Sequence, residues 1–126
     1  MGNINSYEDL YVWQKSNELV LRTYSLVKKL PEIEKYNLIS QMIRAVVSIS
    51  SNIVEGFARN SVKDSLRFYN IANASLEELK SQYRICYDLQ YLNDEDMQKV
   101  KMLCDHVGAS LCKWIQSQVK NAKLSK

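Results

Sequence analysis

The sequence predicts an all-α protein, an up-down-up-down antiparallel four-helix bundle made of one domain over residues 1–126. Three observations carry that prediction. Only three Gly and one Pro stand in a chain that is 46% hydrophobic and 25% charged, the composition of an ordered protein with few turns. Apolar residues recur at three- and four-residue spacings through four long segments, and no stretch alternates as a strand does. The segments are joined by about two to four residues, and connections that short force neighbouring helices to run in opposite directions.

The first segment, about 7–30, places Leu10, Trp13, Val20, Tyr24 and Val27 on one helical face. Ser6 and Asp9 form a capping pair, and Leu30 ends the helix because a residue before proline is disfavoured in the α region. The second, about 34–59, carries two apolar rows: Leu38, Met42, Ala45, Ile49 and Ile53, then Ile39, Ile43, Val46, Val47 and Val54. So wide an apolar arc must be covered on more than one side, by the bundle or by another subunit. The third, about 62–91, starts at Ser61 with Asp64 three residues on, and holds Leu66, Tyr69, Ala72, Leu76, Leu79, Tyr83, Cys86 and Tyr87 at helical spacing. The fourth, about 94–120, opens on the cap Asn93 and the acids Asp94, Glu95 and Asp96, which the helix dipole favours there. Its core face is Val100, Leu103, Cys104, Val107, Leu111, Trp114 and Ile115.

Charge and cysteine usage narrow the class. The formal net charge is +3, and from Lys113 onward Lys113, Lys120, Lys123 and Lys126 have no acid among them. Such a tail suits a helix C-terminus and also supplies a basic patch. Cys86, Cys104 and Cys112 show no C-x-x-C pair, lie in helical apolar rows and read as small core residues of a reduced cytosolic protein. The N-terminus lacks a secretory pattern and no stretch reaches the ~18 apolar residues of a membrane span, so the expectation is a cytoplasmic chain that does not engage a membrane. "MGNINS" also fits the loose Gly2-with-Ser6 myristoylation pattern, a short match that recurs by chance.

The stretch "VVSISSNIVEGFARN" gives the middle of a helix to polar and small residues. Gln41, Arg44, Ser48, Ser51 or Asn52, Glu55 and Arg59 recur at three- or four-residue steps as a polar line along an otherwise apolar cylinder. Ala45, Ser48, Asn52 and Gly56 are small enough for another helix to approach closely, at a propensity cost of about 1 kcal/mol for the glycine. If Asn52 and Glu55 are buried they need partners, and Arg44, Arg59 and Arg67 are the candidates.

No catalytic constellation is legible. Ser48 and Ser51 have no histidine or lysine beside them, and the single histidine, His106, sits at the edge of the fourth helix's apolar face. Diiron bundles place Glu-x-x-His motifs on facing helices, and this chain has none; only Glu55, Glu77 and Glu78 stand where they would turn inward. The expectation is no enzyme, no metal and no cofactor.

"YEDLYVWQKSNELV", "LISQMIRAVVSISSNIVEGFARNS" and "RFYNIANASLEELKSQYRICYDLQYL" together resemble the bacterial 23S ribosomal RNA intervening-sequence proteins, over about residues 7–92. The run from Ser48 to Gly56, including Ser51, Asn52 and Glu55, is the most specific element, and the fourth helix is generic. The resemblance implies a small non-enzymatic bundle assembled into a ring-shaped homopentamer. The accessory proteins of diversity-generating retroelements look similar and engage reverse transcriptase and nucleic acid through basic surface. This chain departs from the family's S-I-P-S-N by having Ser50 for the proline, which should leave the helix more regular. It also has Asn73, Ala74 and Ser75 where relatives carry a basic residue and a glycine before the serine, which weakens any transfer of nucleic-acid binding.

The leading expectation is a homo-oligomeric scaffold or adaptor with a protein client, its interface drawing on Tyr11, Phe57, Phe68 and Tyr91. The alternative is RNA or DNA binding by the assembled ring through Arg22, Lys28, Lys29, Arg59, Lys63 and Arg67, with the C-terminal lysines as a second patch.

Overall fold

The computed structural model describes residues 4–124, and the fold over them is all-helical, with four helices and no strand among the described residues. Gly2 and Lys126, which the sequence reading invoked, lie outside them. The helices are α1 (Tyr11–Leu26), α2 (Leu38–Phe57), α3 (Val62–Asp88) and α4 (Asp94–Leu124).

Local chemistry explains where they start and stop, including where the sequence reading overran. Ser6 and Asp9 do form a capping box, but it closes a separate 3-10 turn at Tyr7–Asp9. Leu10 then turns extended, which buries its side chain, and α1 begins only at Tyr11. At the other end Val27–Lys29 tightens into a second 3-10 turn, and Leu30 is extended before Pro31 as proline requires. A third 3-10 turn, Glu32–Glu34, precedes a non-helical Asn37, so α2 starts four residues later than its pattern suggests. It then runs unbroken through Ser50.

Ser61 caps α3 by accepting from the Asp64 N–H at 3.2 Å. That helix ends at Asp88 rather than 91 because Gln90 takes a left-handed conformation, φ 66°, and the Tyr91 N–H donates back to the Cys86 carbonyl at 2.9 Å. Glutamine in the place usually held by glycine hides this C-terminal motif from a sequence reading. Asn93 caps α4 through its Oδ1 and the Asp96 N–H, 2.8 Å apart, and α4 extends beyond the expected residue 120.

α1 packs on α2 and α4, and α3 packs on the same two helices, with α2 against α3 the most extensive pairing. The core is a continuous set of buried side chains that includes Leu19, Met42, Val46, Ile49, Ile53, Tyr69, Leu79, Tyr83, Val107 and Leu111. Most of the expected faces of α3 and α4 enter it or pack against it, and so does the first row of α2 from Met42 to Ile53; Tyr87, expected on the α3 face, stays outside and bonds Asp94 instead. Val47, from the second row, stays exposed.

The face of α1 differs only in part from expectation, since Leu10 and Val27 are buried as expected. Its inward residues are Val12, Ser16, Leu19, Thr23 and Leu26, whereas Trp13 and Val20 are half-buried and Tyr24 is exposed. An apolar pattern misses this face because two of its members are polar and satisfied internally. Ser16 Oγ donates to the Trp13 carbonyl at 2.8 Å, and Thr23 Oγ1 shares a 2.7 Å hydrogen bond with the Tyr83 hydroxyl. Burial pushes the Tyr83 phenol well above its ordinary pKa, so it stays a neutral hydroxyl.

Among the described residues no helix is long and apolar enough to cross a membrane. Cys86 and Cys104 are buried as expected, with burial raising their thiols to about 11 and about 12, but Cys112 is exposed and not a core residue.

Gly56 sets how closely α2 approaches α3, since a Cβ there would lie 2.7 Å from Tyr69 Cδ1 in a ring that is itself buried. Gly56→Ala should therefore destabilise the protein by about 1–3 kcal/mol despite alanine's better helix propensity, as read by urea denaturation; an unchanged midpoint would refute the close approach. Thr23→Val should cost about 1–3 kcal/mol by stranding the Tyr83 hydroxyl, and Thr23→Val with Tyr83→Phe should recover most of that loss in a double-mutant cycle.

Candidate functional site

The polar line of α2 resolves into two faces with different work. Ser48 and Asn52 are half-buried against α3: Ser48 Oγ shares a 2.8 Å hydrogen bond with Ser75 Oγ, and Asn52 Nδ2 donates to the Ser48 carbonyl at 2.8 Å and to its hydroxyl at 3.1 Å. One turn on, Ser65 Oγ donates to the Gly56 carbonyl at 2.6 Å. Gly56 lies under Tyr69, whose hydroxyl accepts from the Trp114 indole of α4 at 2.9 Å. Small and polar residues in mid-helix thus form a zipper across the α2–α3 seam, and the indole carries it to a third helix.

Ser51, Glu55 and Arg59 sit a fraction of a turn away and are exposed, as are Gln41 and Arg44. Of the partners considered for Glu55, Arg59 is the one that pairs with it, four residues along the same helix. The inward placement considered for three carboxylates is not what the structure shows. Glu55, Glu77 and Glu78 are all exposed, Glu77 pairing with Lys80 at 3.0 Å and Glu78 accepting from Gln82 Nε2 at 3.2 Å. A carboxylate at the edge of a seam reaches water with a small rotation, which costs far less than burial.

The candidate basic residues separate into groups. Arg59 and Arg67 both lie over one aromatic ring, their guanidinium carbons 4.5 and 5.2 Å from the centroid of the half-buried Phe68, with Lys63 exposed on the adjoining turn. Lys28 and Lys29 lie at the far end of α1, where Lys29 pairs with Asp96 at 2.6 Å. Asp94, two residues before Asp96, binds the Tyr87 hydroxyl near the end of α3. Since α3 rises about 30 Å between Arg67 and Tyr87, Lys29 and the Phe68 cluster belong to opposite ends of the molecule. Arg22 is exposed on α1, lining a groove between α1 and α4. Lys113 neighbours Trp114, which reaches Tyr69, so the C-terminal lysines begin at the same end as Arg59 and Arg67.

The aromatics expected at an interface also divide. Tyr11 is exposed, its hydroxyl hydrogen-bonded to His106 Nε2 at 2.7 Å, and Lys15 lies 5.4 Å over its ring. His106 thus joins α1 to α4. Phe57 instead packs on the core, and the partly buried Tyr91 donates to Glu34 at 2.9 Å. The Glu34 carboxylate raises the pKa of the Tyr91 phenol, as Asp94 does that of Tyr87. Among the described residues no group of three or more His, Cys, Asp or Glu side chains is placed to hold a metal ion.

Two surface features escaped the sequence reading because each needs residues from two helices. The α1–α4 groove, about 760 Å³ in volume, is lined by Leu21 and Met102 with Lys15, Arg22, Lys99 and His106. Across the bundle, α3 exposes Ile71, Ile85 and Leu89 beside the α2–α3 seam. Leu21 and Met102 stand on faces that look polar in one helix alone, so hydrophobic periodicity gives no signal for them.

No curated protein matches the chain. The crystal structure of a protein of unknown function from the S23 ribosomal protein family of Bacteroides thetaiotaomicron VPI-5482 superposes with a TM-score of 0.76 at 25% identity, covering 82% of this chain and 97% of that one. The sequence model of the 23S rRNA-intervening sequence proteins matches residues 8–113, which extends the resemblance seen over 7–92 well into α4. With that match covering most of its length, this chain belongs to the 23S rRNA-intervening sequence protein family.

Proposed function

We propose that the chain is a non-enzymatic scaffold or adaptor, an up-down-up-down antiparallel bundle that assembles into a ring-shaped homo-oligomer and presents its surface to a protein client. The antiparallel reading draws on contacts that descend along one helix as they ascend the other: Gly56 with Ser65, Ser48 with Ser75, Met42 with Cys86. The observation that carries the oligomer is a pair of exposed apolar surfaces on opposite sides of the bundle: Leu21, 63% exposed, with Met102, 73% exposed, in the α1–α4 groove, and Ile71, Ile85 and Leu89 on α3. Grouped apolar side chains of that kind mark association surfaces more often than bare solvent faces. Homopentamer is the stoichiometry that the family resemblance suggests. Ser48 and Asn52 of α2 bond one another, and Ser48 bonds Ser75 of α3, which suits an architectural role better than a reactive one.

A second reading, RNA or DNA binding by the assembled ring, is favoured by the Arg59–Phe68–Arg67 cluster with Lys63 beside it. Guanidinium groups stacked on an aromatic ring offer both phosphate pairing and a surface for bases, and symmetry would repeat them around a ring.

Light scattering of the purified protein at micromolar concentration should give an integral multiple of the monomer mass, and a monomer would sink the scaffold reading. If the second reading holds, Lys63→Ala with Arg67→Ala should weaken binding to a structured RNA by about ten-fold and lower the slope of log K against log salt by roughly 0.7–0.9 per lost phosphate contact. Affinity left unaltered by that pair would remove nucleic-acid binding through this cluster.

A further inference from the structure

The packing order of the helices places two complementary surfaces on opposite sides of the bundle. α1 touches α2 and α4, and α3 touches α2 and α4, so the α1–α4 groove and the α2–α3 seam face away from one another. In the groove, Leu21 and Met102 form apolar walls around cations. Lys15 and Lys99 are paired with Glu18 and Glu95 at 3.2 and 3.0 Å, but Arg22 makes no ion pair among the described residues. On the opposite side, Ile71, Glu78 and Ile85 recur every seventh residue and so share one line of α3, which Leu89 continues. Glu78 makes no ion pair among the described residues; its carboxylate is held by Gln82 Nε2, and Gln82 Oε1 is itself buried without a hydrogen-bond partner. One surface therefore offers an unpaired guanidinium between apolar walls, and the other an unpaired carboxylate between apolar residues on a projecting helix.

We propose that the α3 line of one copy of this chain, Ile71–Glu78–Ile85–Leu89, docks in the α1–α4 groove of the next copy, with Glu78 against the Arg22 of its neighbour. This rests on the homo-oligomeric reading above and names its interface. A helix laid between two others is a recurring mode of association, in which residues on one helical line anchor in the groove. The groove's lining runs about 15 Å along α1, from Lys15 to Ser25, and the α3 line rises about 27 Å from Ile71 to Leu89, so the middle of the line, around Glu78, seats in the groove and its ends continue along the flanking surface. Because donor and acceptor surfaces lie on opposite sides of the molecule, the contact is head-to-tail: repeated with a fixed rotation it closes into a ring, and without closure it would grow a filament. The bare groove and the bare α3 line are then the two halves of one contact, each uncovered only in an isolated copy.

Charge exchange tests this. Association of Arg22→Glu and of Glu78→Arg, followed by sedimentation or light scattering across a dilution series, should each be at least ten-fold weaker than that of the parent protein, because each juxtaposes like charges. The combined variant, Arg22→Glu with Glu78→Arg, should regain most of the lost assembly, since every contact then pairs opposite charges in reverse. Both positions are exposed, and circular dichroism checks that each variant is folded. A parent oligomer whose mass neither single change alters would overturn this interface and leave the scaffold reading standing, with the groove open to another occupant. Two weakened single variants with no recovery in the combined one would overturn the Arg22–Glu78 pairing. A monomeric parent protein would overturn the interface together with the homo-oligomeric reading.

Discussion

The approach of α2 to α3 at Gly56 is the constraint on which the other arrangements rest. A hydrogen in place of a side chain lets the Tyr69 ring lie against the α2 backbone, and the same residue's carbonyl takes the Ser65 hydroxyl. Tyr69 then reaches Trp114, so the separation of two helices also fixes where the third meets them. Burial raises the Tyr69 pKa while the indole N–H lowers it, and burial is the larger influence, so the phenol remains a neutral acceptor for the indole. The costs of a mid-helix glycine and of burying hydroxyl groups are offset because each polar group inside the seam has a partner chosen by that spacing.

The interior repeats this logic away from the seam. Thr23 and Tyr83 bond across the core between α1 and α3, and Ser16 bonds within its own helix. Such pairs stabilise little on balance, but an unmatched hydroxyl costs more than a matched one gains, so they discriminate against shifted packings of the same helices. The exception is the Gln82 amide oxygen, buried without a partner at the edge of the seam where the exposed α3 line begins. That group lies beside the exposed apolar residues Ile71, Ile85 and Leu89 of the same helix.

Surface charge separates along similar lines. Several exposed ion pairs, such as Lys15–Glu18, Arg84–Asp88 and Lys99–Glu95, join residues three or four apart on one helix and contribute modestly. Lys29–Asp96 ties the end of α1 to the start of α4, and Tyr11–His106 ties them further along. Other cations are gathered by tertiary proximity. Arg59 and Arg67 share Phe68 although eight residues of sequence separate them, whereas Lys28 and Lys29 fall at the opposite end.

The sequence by itself determined the four helices, their caps at Ser61 and Asn93, the apolar faces of α3 and α4, and the family to which the SISSNIVEG run points. Those properties are legible because they arise within a few residues: helical period, side-chain capping and the steric demands of proline act locally. Only the tertiary structure decided that Ser16, Thr23, Ser75 and Gln82 are interior while Trp13 and Val20 pack only on the core's edge and Tyr24 is exposed. It also decided that the α2 line divides between a buried zipper and an exposed ion pair, and that Leu21 faces Met102 across a groove. A polar residue is buried when a partner from another helix satisfies it, and a surface is made by neighbours distant in the chain; neither condition is written in the spacing of residues along one helix.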